Sequence, residues 1–576
     1  VLLTEMRRVD QHGFLQAELD RQKEELLSRY KKMAKEENKT QSVSFAQEYT
    51  NNFLENEVIP GIRQEYRYAN EFVPEITLDE VNAMVKGWIT DENFVLWLTA
   101  NSKVKVPSEK DALKLYKKAM SAKTTPWVDN FKDEPLFSKN LPAVTPKVTK
   151  ENKALDYKEY TCPNGIRFIV KKTDYKADEI RMSSFAKGGA SIYEDNEAYM
   201  AQTAAQLIDD AGIAQFNSSQ LTKKLKGMNL SISPNIGGET QGFSGNCSPK
   251  DLETMLQLLY LYYDAPRKDQ ESFDKNIDAL RSQIKFMGEN PQFVFIKKYI
   301  ETVYPDNKRL VILPTEQHIN SLKLDRTYEI FKERFNDASN QTFFFVGNIS
   351  DKDIELIAKY VGNLPCTGKQ KGETWKDRDP KFVSGTPRAT AYKGTDNQGM
   401  LMIYGETQGF VNTKKNKVII NQLSDAMEIT ALEIIREKMG GTYSPSVNVS
   451  YDVDGDGKGT KVSWMFYIAC DPDNVANVEK AAIEILNQYI NEGPSAETLG
   501  KVQEQQIINR ENARQENSFW IGQIEGSYQY NEDRDDLDKY PELVKSVTAK
   551  EIQDAAAKFI NMKNYAVIML MPEDKK

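Results

Sequence analysis

The stretch EIIREKMGGTYSPSVNVSYD, Glu433 to Asp452, holds an arginine and a tyrosine seven positions apart across a double glycine. Arg436 precedes the break and Tyr443 follows it. A guanidinium and a phenol are both hydrogen-bond donors, so the pair could grip a ligand. The plain alternative is a surface arginine and a strand tyrosine. A second polar run follows at once: DVDGDGKG, Asp452 to Gly459. Asp452, Asp454 and Asp456 have the spacing of the first half of a calcium loop. The bidentate glutamate expected at the twelfth position is missing, and Ser463 stands there. Asp-Gly between two strand-like runs is also ordinary hairpin chemistry, and a turn is the simpler reading.

Other reactive residue types are sparse. The chain has two histidines, His12 and His318, far apart and in no H-x-x-x-H pair. The four cysteines, Cys162, Cys247, Cys366 and Cys470, form no C-x-x-C pair for zinc or redox work. They read as buried thiols, with one long-range disulfide left open. The 576 residues carry a net charge of -9, which argues against nucleic acid as a partner. Hydrophobic residues make up 40% and charged residues 28%, an ordinary soluble globular composition. No apolar run reaches the ~18 residues of a membrane span. The compartment is not legible, since the first residues read as a charged amphipathic helix already under way and not as a leader. The expectation is a chain that begins inside a larger protein, with export to the periplasm left open.

The elements that must position the arginine and tyrosine can be read from periodicity. A long helix is expected from about Val418 to Met439, with an apolar stripe at Ile420, Leu423, Met427, Ala431 and Ile434. At about 100° per residue, Arg436 points away from that stripe. Gly440 and Gly441 supply the stop. In the strand that follows, period two puts Tyr443, Val447 and Val449 on one face.

The chain also repeats itself. ITLDEVNAMVKGWITDENFVLWLTA, Ile76 to Ala100, aligns without gaps to VTAKEIQDAAAKFINMKNYAVIMLM, Val547 to Met571. Each copy starts with threonine and has glutamate three residues later, a capping box, then an amphipathic helix and an apolar strand. Upstream, QHGFLQAELDRQKEELLSR loosely matches NEGPSAETLGKVQEQQIINR. Residues 1–105 thus read as the back end of a unit that recurs near the C-terminus. Residues 106–154 are rich in Pro, Lys and Thr and read as a linker after one short helix. Two further units follow, 155–365 and 366–576, in which strand pairs and helices mix, an α+β pattern.

CPNGIRFIVKK, KGGASIYED, FFFVGNISDKDIELIAKYVGNLP and above all REKMGGTYS, in this order, resemble the pitrilysin/insulinase family of zinc metallopeptidases, the inverzincins. The resemblance covers nearly the whole chain. It implies tandem homologous metallohydrolase-like α/β domains, mixed sheets with helices packed on one face, and two halves that close on peptide substrates. On that basis 1–105 is the C-terminal part of a second domain, 155–365 a third and 366–576 a fourth. The family holds zinc with H-x-x-E-H on a helix, the glutamate activating the metal-bound water. Counting back from Gly212, the equivalent slot here is TAAQL, with Thr203, Gln206 and Leu207 at the ligand and base positions. None is a strong ligand or base, so the third domain is expected to be zinc-less and this chain alone inactive. Zinc would belong to an N-terminal peptidase half, in the same polypeptide or a partner subunit. Arg436 and Tyr443 match the family's substrate-binding pair. A non-catalytic scaffold subunit of the same family is the other reading.

Overall fold

The structure is a computed structural model that describes residues 2–89, 95–97, 105–395, 397–438 and 442–576, the side chains of 438 and 442–444 excepted. The chain divides into two compact units, residues 1–139 with 218–230, and residues 140–217 with 231–576.

The regular elements described in the first unit are mostly α-helices: Leu2–His12, Gln16–Lys35, Ser42–Glu55, Ile62–Phe72, Leu78–Trp88 and Glu109–Met120, with Ser218–Lys224. The capping box read at Thr77 is present. The Thr77 amide donates to Glu80 Oε2 at 2.7 Å, and the Glu80 amide donates to Thr77 Oγ1 at 3.3 Å. Asp129 accepts from Lys223 at 2.8 Å and from Arg21 at 2.9 Å. The Lys223 ammonium, aided by the Phe131 amide and Arg21, holds the Asp129 carboxyl down to about 2 against its partial desolvation. The short helix read at the start of 106–154 is Glu109–Met120.

The second unit contains two mixed sheets. The first is built from β1 (Lys147–Asn152), β2 (Tyr157–Thr161), β3 (Arg167–Lys172), β4 (Ile180–Lys187), β5 (Leu230–Ile236), β6 (Thr240–Cys247) and β7 (Thr342–Gly347), in the order β1-β2-β3-β7-β4-β6-β5. Only β3 and β7 run parallel among its registered pairs. The edge strand β1 falls inside the stretch read as linker. Five of its six residues are exposed, so KVTKEN leaves no apolar period to detect. The second sheet is β8 (Arg388–Tyr392), β9 (Gly399–Gln408), β10 (Thr442–Val453), β11 (Gly459–Cys470) and β12 (Ala566–Met571), in the order β10-β11-β9-β12-β8.

Each sheet buries both faces. One face of the second sheet, with Leu401, Ile403, Trp464 and Phe466, packs on helices Lys414–Ala431, Val475–Asn491 and Ala549–Phe559. Its other face, with Met400, Met402, Ile568 and Leu570, is covered by Phe295 and Val303 of helix Pro291–Val303. The first sheet is treated in the same way. Ile169, Phe344 and Val346 meet Trp520 and Ile524 of helix Asn517–Gln529. Period two sends the neighbouring Phe343 and Phe345 to the opposite face, where both are fully buried. The two halves of the unit thus exchange helices: each sends one to cover the other's sheet.

Two contacts yield predictions. Gly405 lies directly across from Trp464 in the β9–β11 ladder, and a Cβ there would come within 2.5 Å of the indole ring. Gly405→Ala is expected to lower stability by ~1–3 kcal/mol through overpacking, read as a fall in the urea midpoint with unchanged m-value. Glu239, in the β5–β6 turn, is pushed up to about 7 by burial, with Asp379, Asp454, Asp377 and Asp456 adding to the effect. Its folded state therefore keeps a proton that the unfolded chain releases near 4.5, and this group's contribution falls as pH rises from 4.5 to about 7. Glu239→Gln should gain ~1 kcal/mol over the native protein above about pH 7 and nothing below about pH 4, after discounting for its partial exposure. Urea midpoints of both proteins across that pH range check it.

Candidate functional site

The motif hangs from helix Lys414–Ala431. Thr413 caps its start by accepting from the Asn416 amide at 3.1 Å, one turn earlier than the apolar pattern indicates. Ile420, Leu423, Met427 and Ala431 are buried, in line with the stripe. The helix then changes character. Residues Leu432–Lys438 form a π-helix, whose i→i+5 hydrogen bonds widen the turn. The stripe shifts with it: Ile435 is fully buried, while Ile434, assigned to the stripe by α-helical phase, is only half-buried. Arg436 is exposed, flanked by exposed Glu433 and Glu437. The glycine stop at Gly440 and Gly441 lies outside the described residues.

The chain resumes as β10, an edge strand. Its register against β11 pairs Thr442 with Cys470 but Pro445 with Ile468. Tyr443 and Ser444 therefore face a single residue, Ala469, which is a bulge. Pro445 beside it lacks the amide an inner ladder position would need. Beyond the bulge Val447 and Val449 are buried. The face taken by the Tyr443 side chain lies outside the described residues. Bulges of this kind re-aim a side chain and concentrate beside active sites, and π-turns do so as well. Both irregularities fall in the short segment that holds Arg436 and Tyr443.

Asp452, Asp454 and Asp456 surround the β10–β11 hairpin turn. Asp454 Oδ1 accepts from the amides of Asp456 at 3.0 Å and Lys458 at 2.9 Å. Asp452 lies 3.6 Å from Lys461, and Asp456 accepts from Lys187 at 2.8 Å. The three carboxylates thus have separate partners. Gly457 has φ +80°, and a Cβ there would collide with the Tyr530 carbonyl.

Helix Asp195–Asp209 carries the TAAQL slot read from the sequence. The Thr203 hydroxyl donates to the carbonyl of Tyr199, 2.9 Å away in its own helix. Gln206 is exposed and Leu207 is buried. A hydroxyl committed to its helix, an amide and an alkyl chain do not fit zinc. Among the described residues no group of three or more His, Cys, Asp or Glu is placed to hold a metal ion. His12 Nε2 contacts the Thr124 carbonyl at 2.8 Å, and His318 Nδ1 accepts from the Thr315 amide at 3.0 Å. Both histidines serve local structure. All four cysteines are free thiols, so the structure contains no disulfide.

Sequence reasoning missed one polar cluster. On the face of the second sheet under helix Pro291–Val303, Glu406 accepts from Tyr404 at 2.6 Å and from Tyr304, and Lys461 stands 3.3 Å away. Burial, with the neighbouring phenols and Glu406, raises the Tyr404 phenol far above its usual range. The available signal is a glutamate two residues after a tyrosine inside the otherwise apolar MLMIYGE.

Residues 321–506 match the family model described as the peptidase M16 inactive domain. A zinc protease PQQL-like protein of Arabidopsis thaliana is 22% identical over 601 residues, covering 98% of this chain and 59% of its own length. The periplasmic protease PqqL from Escherichia coli superposes with a TM-score of 0.65 at 17% identity, over 99% of this chain and 63% of that one. The first half of the same protease also superposes on 74% of this chain, with a TM-score of 0.58 and 12% identity. That a single chain fits both is what a fold repeated in tandem produces. The chain spans less than two thirds of the length of the Arabidopsis relative. Family model, sequence relatives and fold point the same way: residues 321–506 match the peptidase M16 inactive domain, and the chain is similar to zinc proteases of that kind, in line with the pitrilysin/insulinase resemblance of its sequence.

Proposed function

We propose that this chain is the substrate-holding part of a zinc endopeptidase whose metal-holding half lies outside it. The observation that carries this reading is the pair of backbone irregularities around Arg436 and Tyr443, a π-turn and a β-bulge within one short segment. Such features cost regular hydrogen bonding and persist where a side chain must be aimed. A guanidinium and a phenol held there would donate hydrogen bonds to the backbone of a bound peptide. Donors directed at a carbonyl oxygen that gains charge stabilise the transition state more than the ground state.

In this reading residues 1–105 are the tail of a second domain and 106–154 connect the halves. Residues 155–365 form a third domain that keeps the helix of the zinc site with Thr203, Gln206 and Leu207 in its slot. Residues 366–576 form the fourth, which carries the clamp. The chain forms wall and clamp of a peptide-holding chamber, and the preceding half supplies the metal and the base. The occupants of the third domain's slot also favour a second reading, a non-catalytic partner subunit. The two part on one fact: an H-x-x-E-H helix in the remainder of the protein, or on a separate subunit, makes it a peptidase, and a second degenerate helix makes it a scaffold.

In the complete protein, Tyr443→Phe is expected to lower kcat/KM by ~1–4 kcal/mol of transition-state stabilisation, with unchanged thermal stability. Unaltered peptide hydrolysis would remove the tyrosine from the clamp. Arg436→Lys keeps the charge and loses the planar fork, so it should impair turnover nearly as much as Arg436→Ala. The 576-residue chain alone should hydrolyse no peptide with or without added zinc, and zinc-dependent cleavage by it would overturn the division of labour.

A further inference from the structure

The internal repeat says what should cover the first unit. Two helices of the C-terminal copy bury apolar side chains whose counterparts near the N-terminus are exposed. Helix Asn517–Gln529 presents Trp520, Ile524 and Tyr528, at spacings of four, to the first sheet. The helix in the same position of the first copy is Ser42–Glu55, and it carries Phe45, Tyr49 and Phe53 at the same spacings. These are 42%, 60% and 84% exposed. No residue of that helix is buried. The gapless part of the repeat behaves alike. Phe559 and Ile568 are buried in the second sheet's two cores, and their counterparts Trp88 and Trp97 are 70% and 83% exposed.

An apolar stripe of three aromatic residues does not stay in water without reason. The C-terminal copy also gives the chemistry of its cover. There the rings of Trp520 and Tyr528 lie on an apolar sheet face and under basic side chains: Lys171 Nζ is 4.4 Å from the Trp520 ring, and Lys150 Nζ is 5.5 Å from that of Tyr528. The Tyr528 hydroxyl donates to Glu159 at 2.7 Å. Helix Ser42–Glu55 has two glutamates, Glu48 and Glu55, and no basic residue of its own, so it suits a cover that brings the cations.

We propose that Phe45, Tyr49 and Phe53, with Trp88 and Trp97, form the docking surface for a preceding half of the same architecture. Helix Ser42–Glu55 lies on the open face of that half's first sheet, with lysine or arginine over its rings. Trp88 and Trp97 pack into that half's second sheet, as their counterparts Phe559 and Ile568 do here. This rests on the reading that a metal-holding half exists, and it goes beyond that reading by naming the surface that receives it.

The test is hydroxyl-radical footprinting of the complete protein beside the 576-residue chain alone. Labelling of Phe45, Tyr49, Phe53, Trp88 and Trp97 should fall several-fold in the complete protein, and that of Trp127, exposed but outside this surface, should not. Equal labelling in both samples would overturn the proposal. So would protection in the isolated chain together with a dimer in sedimentation, because a second copy would then be the cover. Tyr49→Glu in the complete protein should restore labelling at Phe45 and Phe53, while the same change in the isolated chain leaves its circular dichroism unaltered; persisting protection would count against the surface. The footprint is independent of Arg436 and Tyr443. Protection with fully active clamp variants would retain the docking surface and discard the clamp, and the converse result would do the opposite.

Discussion

A β-sheet has two faces, and a mixed sheet with apolar residues on both must be covered twice. In the second unit that requirement is met by exchange. Helix Pro291–Val303 follows the first six strands in sequence yet seals the second sheet, and helix Asn517–Gln529 comes after β11 yet seals the first. Neither sheet could be stable with its cover removed, because Met400, Met402, Ile568 and Leu570 on one side, and Ile169, Phe344 and Val346 on the other, would return to water. At roughly 1.5–3 kcal/mol for each large side chain, either loss would rival the stability of a whole domain. The consequence is a cooperative unit in which a change in one sheet is felt through a helix belonging to the other half.

That rigidity is what lets a short segment be irregular. The motif helix is anchored through Ile420, Leu423, Met427 and Ala431, and β10 through Val447 and Val449. Between these anchors the chain gives up α-helical bonding at Leu432–Lys438 and ladder register at Tyr443 and Ser444. Placement at the sheet's edge matters as well. An edge strand can carry a bulge and a proline without breaking a ladder on both sides. β11, paired with β9 along ten residues without interruption, has no such freedom.

Elements whose signal is local are legible in the amino-acid sequence. The threonine–glutamate boxes at Thr77 and Thr548, the helix stop near Gly212, the fully buried β7 and the core stripe to Ala431 all follow from capping, left-handed glycine or period. What escapes is decided by partners far away in sequence. β1 pairs through its backbone and exposes its side chains. The shift from Ile434 to Ile435 comes from a change in helix type that composition does not announce. The ladder register between Thr442 and Pro445 is shifted by one inserted residue. The buried Glu406 cluster needs Tyr304, about a hundred positions earlier in the chain, and Lys461 on the adjacent strand. Period two and period 3.6 describe single elements, and each of these features arises where two elements meet.

Helix Asp195–Asp209, which holds the TAAQL slot, is built for packing. Its inward residues are small: Ala198, Ala201, Ala204 and Ala205 let the backbone approach its neighbours, and Met200, Leu207 and Ile208 fill the remaining space. Leu207, read from the sequence as filling a ligand position, is part of that packing. A histidine pair there would have to leave polar nitrogens facing an apolar environment or a bound cation, and an uncompensated buried polar group costs roughly 1–3 kcal/mol. With leucine the position adds to the packing, and the helix is further tied by Arg326 donating to Glu197 at 2.6 Å and Arg309 to Asp195 at 3.1 Å. Helix Asp195–Asp209 thus packs within the same half that supplies helix Pro291–Val303, the cover of the sheet that carries the arginine and tyrosine.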